Sequence, residues 1–308
     1  MTKKKRSISI VFILLMLCRL TTFSQTVIDS LLVELNKVGT TEDSIRIYLS
    51  LSETEEDGPM SLNYAYQALD NLNEIDNSEL FVTAYQSIGH ALEKVNLLDS
   101  AKLFYKKALT LADSIQNTSK SALIHLDLGD LENTRGNNAA ALRHFTTANN
   151  YFDTPSHLDS AWFSLNRLGI VYNEMGLYAK SLEYYLKAYQ LIQDSDDNNA
   201  KLILLNNLGI IYNEIGKPED SKEYYNRGLE IAKAYGVSDK EAVLLSNLSI
   251  VYKEQRDTLG ALDLIRKSHA IQVENNFTCG LAYSYEGLGE IMTWKREYDS
   301  HGIFSNKR

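Results

Sequence analysis

The six histidines come first, because an imidazole ring can serve as a metal ligand or as a general base. They are His90, His125, His144, His157, His269 and His301. No two of them form an H-x3-H pair, and none has a cysteine partner at a zinc-binding spacing. The sequence therefore argues against a zinc site.

A second group with metal-binding chemistry surrounds Asp194. Asp194, Asp196 and Asn198 have the spacing that opens a calcium-binding loop. However, Asn199 stands where the sharp turn of such a loop needs glycine, and Leu205 stands where a glutamate would close the cage. We interpret the run as a polar loop that caps a helix beginning at about Asn199.

Signatures of covalent and phosphate chemistry are missing from this sequence. It has no glycine-rich phosphate loop, no nucleophile elbow and no protein-kinase motif. Cys279 lacks any local motif, and we interpret it as a small residue at a repeat boundary. The sequence therefore predicts a protein that is not an enzyme and that has no cofactor and no metal.

The chain is organised by a repeat of 40 residues. Its anchors are glycines, with one serine in the series: Gly89, Gly129, Gly169, Gly209, Ser249 and Gly289. A small residue follows 12 positions after most anchors and a large apolar one 16 positions after, as Ser181 and Tyr185 show. Six full units run from about residue 39 to 278, and a partial seventh occupies residues 279–308.

Each unit predicts two amphipathic helices joined by a tight turn. Apolar residues recur at three and four positions around the anchor at Gly169: Leu165, Leu168, Val171, Tyr172 and Met175. Glycines seven positions after the anchors should end the first helices in a left-handed conformation. They are Gly136, Gly176 and Gly216. Ser238 and Asp239 are predicted to cap another helix.

This pattern resembles the tetratricopeptide repeat, with its L-G pair, an aromatic residue three positions later, a turn glycine and A-x3-F/Y-x2-A. The match covers about residues 39–300 and is most specific around Gly169 and Gly209. The resemblance implies an all-α fold, a right-handed α-solenoid of about six and a half helix-turn-helix repeats with a concave groove lined by first helices. Residues 25–38 are predicted to form an N-terminal capping helix.

The resemblance also implies which side chains face the groove: those three and two positions before the anchor and one, four and five after it. In the later units these are Asn166, Arg167, Asn173, Glu174, Asn206, Asn207, Asn213, Glu214, Asn247 and Lys253. Stacked asparagines can donate to and accept from an extended peptide backbone, and the flanking charges would select its side chains. The alternative interpretation is a solvated polar face.

The first 24 residues have the order of a secretory signal peptide. Residues 3–6 are basic, residues 8–18 are apolar, and Thr22 and Ser24 are small residues before a cut at Gln25. The apolar run is shorter than the roughly 20 residues of a membrane-spanning helix. The sequence therefore predicts an exported protein of the periplasm or cell envelope of a Gram-negative-type bacterium. Its net charge of −9 argues against a nucleic-acid partner.

The last unit departs from the repeat. His301, Ser305 and Arg308 stand where a small residue, an aromatic residue and alanine are expected. The first helix of this unit, residues 281–294, should therefore lack a cover. Two hypotheses follow: this face makes an end-to-end contact with a partner, or the chain is a shortened relative of a longer protein.

These observations favour a non-catalytic scaffold that binds a peptide or a partner protein in its groove, with no small-molecule substrate evident. The alternative is a truncated sensory or input region of a signalling regulator, such as a histidine kinase or a transcriptional regulator. Exported arrays that resemble this one are often followed by such output domains.

Overall fold

The computed structural model describes residues 21–152, 158–275, 277, 284–285, 287–289 and 292–293. Residues 1–20 of the predicted signal peptide lie outside this part of the chain, and so do His157, Cys279 and most of the predicted seventh unit. Within the described residues the regular secondary structure is entirely helical. None of these helices is both long and apolar enough to cross a bilayer.

The helices follow one another along the chain with short connections. They are α1 (Thr21–Leu35), α2 (Thr41–Thr54), α3 (Gly58–Leu72), α4 (Ser78–Lys94), α5 (Leu98–Ser114), α6 (Thr118–Thr134), α7 (Asn138–Phe152), α8 (Leu158–Glu174), α9 (Tyr178–Ile192), α10 (Asn198–Glu214), α11 (Pro218–Ala234), α12 (Ser238–Glu254) and α13 (Thr258–Glu274). We call the even-numbered helices first helices and the odd-numbered ones from α3 onward second helices.

At a scale larger than the repeats, the described chain divides into two compact units of several repeats each, which we call the N-terminal unit and the C-terminal unit. Each is described by itself. The N-terminal unit ends at Val171 and the C-terminal unit begins at Tyr172, within α8. In both units consecutive helices pack against each other, which is the arrangement of an α-solenoid. First helices from α4 to α12 begin at residues 78, 118, 158, 198 and 238, a constant step of 40. The predicted all-α solenoid is confirmed.

Left-handed residues end the first helices, as the sequence predicts. Gly136, Gly176 and Gly216 have φ values of 74°, 72° and 74°. Asn96 and Arg256, which occupy the same place in units without this glycine, adopt φ values of 61° and 66°. The next amide then bonds back to the helix in each case, which satisfies a carbonyl group that the helix end would leave unpaired.

The anchors are glycines because an aromatic ring lies against their backbone. A Cβ atom added to Gly89, Gly129 or Gly209 would come within 3.0 Å of the ring of Tyr105, Phe145 or Tyr225, respectively. All three rings are buried, and each follows its anchor by 16 residues. Where the ring is replaced by a smaller side chain, the anchor is larger: Ser249 precedes Ile265, and Leu49 precedes Ala65. The side chain at the anchor and the side chain 16 positions later therefore compete for the same space.

Helix starts follow the sequence prediction in one place and depart from it in another. Asp197 caps α10 and accepts from the amide of Ala200, so the polar run before it is a capping loop. The predicted cap at Ser238 is wrong, because Ser238 is already the first residue of α12. Its N-cap is Val237, whose amide donates to the carbonyl of Ala232 at the end of the previous helix. The hydrogen bond that ends α11 thus fixes the residue at which α12 starts.

Candidate functional site

The predicted groove residues of the C-terminal unit are partly buried between helices. Asn206 and Asn207 have exposed fractions of 7% and 2%, so they do not face an open groove. The amide nitrogen of Asn247 donates to Oδ1 of Asn206 over 2.7 Å. Asn206 lies three positions before the anchor Gly209, and Asn247 lies two positions before the next anchor, Ser249. The two side chains are thus 41 residues apart in sequence. We call this contact between first helices a rung.

The remaining predicted residues of this unit are more accessible. Glu174 and Glu214 are exposed, while Asn173, Asn213, Asn247 and Lys253 are half-buried. Asn213 donates to the carboxylate of Glu254 over 2.8 Å, again across two first helices. The structure therefore brings Asn206 and Asn247 into contact across α10 and α12, and Asn213 bonds to a carboxylate of α12.

In the N-terminal unit the two predicted groove residues have different environments. Asn166 is 3% exposed, so it too is buried rather than open to a ligand. Arg167 lies with Nε 3.0 Å from Oδ1 of Asp130, and its guanidinium stacks on the ring of Phe163 at 4.5 Å. Arg167 therefore marks a charged site on the first helices of this unit.

The two residues that Arg167 contacts, Asp130 and Phe163, line a cavity of about 410 Å³ in the N-terminal unit. Four first helices, α2, α4, α6 and α8, supply its lining residues. They are Glu53, Thr83, Gln86, His90, Lys120, Leu123, Leu126, Asp127, Asp130, Ser160 and Phe163. Polar and charged groups thus share the walls with two leucines and one aromatic ring.

Asp127 is held by two neighbours on α4. Its Oδ2 accepts from Nε2 of Gln86 over 2.6 Å, and its Oδ1 lies 3.1 Å from Nε2 of His90. The bond from Gln86 is a second rung, because Gln86 precedes its anchor by three residues and Asp127 precedes the next by two. Both oxygens of Asp127 therefore already have partners.

Burial sets the charge state of this cavity. Desolvation raises the pKa of Asp130 to about 6, although Arg167 opposes the rise, and the neighbouring Asp127 adds to it. The pKa of the Glu93 carboxyl, beside the cavity, is also raised by burial. Burial would lower the pKa of His90, but Asp127 outweighs it and the pKa is raised. Burial thus disfavours the charged forms of Asp130 and Glu93.

This arrangement suits binding rather than metal coordination. Among the described residues no group of three histidine, cysteine, aspartate or glutamate side chains is placed to hold a metal ion. A cavity of several hundred Å³ with apolar walls and a few polar groups has the character of a ligand site.

The sequence analysis missed this cluster although the signal was present. The position rule was applied only to the later units. In the units anchored at Gly89 and Gly129, five of the ten residues at the same positions line the cavity: Gln86, His90, Leu126, Asp127 and Asp130.

Comparisons with known proteins support the repeat fold. The family profiles of the tetratricopeptide repeat match residues 159–234 and residues 82–114. No curated protein matches the chain.

Several solved structures have the same fold. A signal transduction ATPase with numerous domains and a tetratricopeptide repeat sensor, from Pyrococcus horikoshii, is 16% identical with a TM-score of 0.65, over 84% of this chain and 43% of that one. A Rap protein complexed with Competence and Sporulation Factor is 12% identical with a TM-score of 0.61, over 92% and 84%. The apo form of RapI is 16% identical with a TM-score of 0.59, over 73% and 87%. At such identities the likeness concerns the fold alone.

Proposed function

This chain is a tetratricopeptide repeat protein, and we propose that it is a protein-interaction scaffold that binds a peptide segment of a partner along its first helices. The observation that carries the proposal is the cavity of about 410 Å³ whose walls come from four first helices of successive repeats. No catalytic step is part of the proposal.

The geometry of the lining favours an extended peptide as ligand. Packed helices lie about 8–10 Å apart, and an extended chain advances about 3.3 Å per residue. Such a peptide would pass a new first helix about every three residues. Each helix could then supply one polar group to the peptide backbone, as Gln86 and Ser160 do for the cavity wall.

The accessible groove residues of the C-terminal unit are assigned the same role within that unit. Asn173, Asn213 and Lys253 are half-buried, so they keep some surface for a ligand, although Asn213 also donates to Glu254. The periplasm or cell envelope is the proposed place of action, supported by the basic and apolar pattern of residues 1–24.

The test is a selection of random displayed peptides on the immobilised full chain, followed by fluorescence anisotropy with the selected sequences. A cavity variant, Gln86→Ala with Phe163→Ala, should lose at least tenfold in affinity. A matched control on the exposed side of α5, Leu103→Ala with Lys106→Ala, should bind as the unaltered chain does.

A third variant, Asn173→Ala with Asn213→Ala, reports on the C-terminal unit separately. Failure to select any peptide would overturn the proposed function. Selected peptides that bind all three variants with unchanged affinity would overturn the assignment to the first helices.

A further inference from the structure

Charged side chains are unevenly balanced around the cavity of the N-terminal unit. The acidic groups are Glu53 on α2, Glu93 on α4, and Asp127 and Asp130 on α6. The basic or titratable groups are His90 on α4, Lys120 on α6 and Arg167 on α8. Even with all three of these protonated, one negative charge remains without a counterpart.

Asp130 is the carboxylate best placed to meet a ligand. Its side chain is 36% exposed, against 19% for Asp127, whose two oxygens are already engaged. The Arg167 contact uses only Oδ1 of Asp130, and the Nε–H of Arg167 has no acceptor in hydrogen-bonding geometry among the described residues. Oδ2 of Asp130 is therefore left for an incoming donor.

We infer that this cavity receives one basic side chain, lysine or arginine, of the bound peptide, with Asp130 as its acceptor. The inference rests on the proposed function, because it names the partner chemistry of the same site. Charge-assisted hydrogen bonds between an ammonium or guanidinium group and a carboxylate are about twice as strong as neutral ones.

The walls suit the stem of such a side chain as well as its head. Leu123, Leu126 and Phe163 line the cavity beside the carboxylates. Lysine and arginine carry three or four methylene groups that pack on apolar surface while the charge reaches a polar partner. An acidic side chain would meet three lining carboxylates here, Glu53, Asp127 and Asp130, and would be repelled, and the chain as a whole carries a net charge of −9.

Titration of the resident groups gives a second readout. Asp130 has a pKa near 6, so it loses its negative charge as the pH falls below that value. His90, whose pKa is raised, gains a proton over the same range. Both changes oppose a cationic ligand, so affinity should fall between pH 7.5 and pH 5.5.

The experiment uses peptides from the selection described above and replaces each basic residue in turn by norleucine, which keeps the stem and removes the charge. One replacement should weaken binding at least tenfold. Asp130→Asn should weaken binding of the parent peptide by a similar factor. The two changes together should reduce the affinity little more than either change alone. The exposed Asp99→Asn is the matched control and should leave affinity unchanged.

Four results would overturn the inference or part of it. Norleucine replacements that all stay within twofold would overturn it, and so would an Asp130→Asn chain that binds as tightly as the parent at pH 7.5 while remaining folded by circular dichroism. Because His90 still titrates, a folded Asp130→Asn chain should keep a smaller pH dependence of affinity; a pH dependence as large as that of the parent would also overturn Asp130 as the acceptor. Free arginine should compete at least a hundredfold more weakly than the peptide; equal competition would overturn a peptide as the source of the charge.

The two proposals fail in different ways. If the Gln86→Ala, Phe163→Ala chain loses peptide binding but no basic residue of the peptide matters, the cavity binds peptides and only the charge assignment is wrong. If no peptide is selected, the proposed function itself fails.

Discussion

Lys94 is a single side chain that completes the end of a helix in the neighbouring repeat. Its Nζ donates to the carbonyl oxygens of Ser52 and Glu55, over 3.1 and 2.6 Å, and to Oγ of Ser61 over 3.1 Å. The last carbonyl groups of α2 have no donor within their own helix, so Lys94 provides hydrogen-bond donors for them. Its position in sequence, 42 residues after Ser52, hides this role.

Replacing Lys94 by methionine should therefore destabilise the fold. We expect Lys94→Met to lower the free energy of unfolding by about 1 kcal/mol, a moderate value because the side chain is partly exposed to water. Urea denaturation followed by circular dichroism measures the change. Lys106→Met, on the exposed surface of α5, is the control; equal effects of the two substitutions would contradict the role of Lys94.

His125 and His144 form a contact that depends on their charge. Their Nδ1 atoms lie 2.9 Å apart, so one ring donates and the other accepts, which requires at least one neutral ring. Burial, reinforced by the charge of His125, lowers the pKa of His144 to about 4, and burial also lowers the pKa of His125. The folded state therefore binds protons less readily than the unfolded state.

The consequence is a loss of stability in acid. The unfolded chain takes up protons on these rings below about pH 6.5, and the folded chain does so only at lower pH. Unfolding free energy should thus fall as the pH drops from 7 towards 4. Because His144 is half-buried, we expect its share between pH 7 and pH 5 to be about 1 kcal/mol.

The measurement compares urea melts of the unaltered chain and of His144→Asn at pH 7 and pH 5. The drop in stability should be smaller in the variant, since other titrating groups, Asp130 among them, act in both chains. A drop of the same size in both would show that the histidine pair is not the cause.

At the scale of the helix, the fit between anchor and ring decides how closely first and second helices approach. Gly209 faces the buried ring of Tyr225 without room for a Cβ atom. Alanine is the better helix former by about 1 kcal/mol, yet overpacking a core costs about 1–3 kcal/mol. The steric effect should win at this position.

We expect Gly209→Ala to lower the unfolding free energy by about 1–2 kcal/mol, and less in a Tyr225→Leu background where the ring is gone. Thermal and urea denaturation of the four chains gives the coupling between the two positions. Gly39→Ala, where no atom lies within 4 Å of the new Cβ, is the control and should change stability little. Additive effects at positions 209 and 225 would contradict a shared volume.

The helices were predictable because their signals are local. Apolar spacing, the left-handed Gly136, Gly176 and Gly216, and the aromatic residues 16 positions after the anchors all act within one unit. The burial of Asn206 was not predictable in this way, since its partner Asn247 belongs to the next first helix. The same holds for the Asp130 site, whose counter-charge Arg167 lies on α8, in the following unit. The helices can therefore be predicted from residues within one repeat, whereas the site depends on contacts between residues of neighbouring repeats.

At the scale of the whole molecule, a repeat array gains its stability from each unit and from the contacts between neighbours. Deleting one whole period should therefore preserve the fold. Removal of residues 198–237 takes away α10 and α11 together and joins Asp197 to the start of α12. We expect this shortened chain to keep its helicity per residue and to unfold cooperatively at a lower temperature.

The matched control removes half a period, residues 198–217, and so places two second helices in succession. It should lose cooperative unfolding, because the faces of α9 and α11 that pack on α10 would have no counterpart. Circular dichroism with thermal melts compares the two deletions. If the half-period deletion folds as well as the full one, the repeat is not the unit of stability.

The rungs between first helices have a consequence for how such a protein can diversify. Gln86 with Asp127 and Asn206 with Asn247 show two completed rungs, but Leu126 occupies the position that would reach towards Arg167. With no amide opposite it, Arg167 turns to Asp130 and Phe163, and the cavity lies there. Leu126 thus leaves one rung of the N-terminal unit unformed, and the cavity lies beside that position. A single substitution at a rung position can therefore change which polar groups a ligand meets, while the packing of the helices is kept.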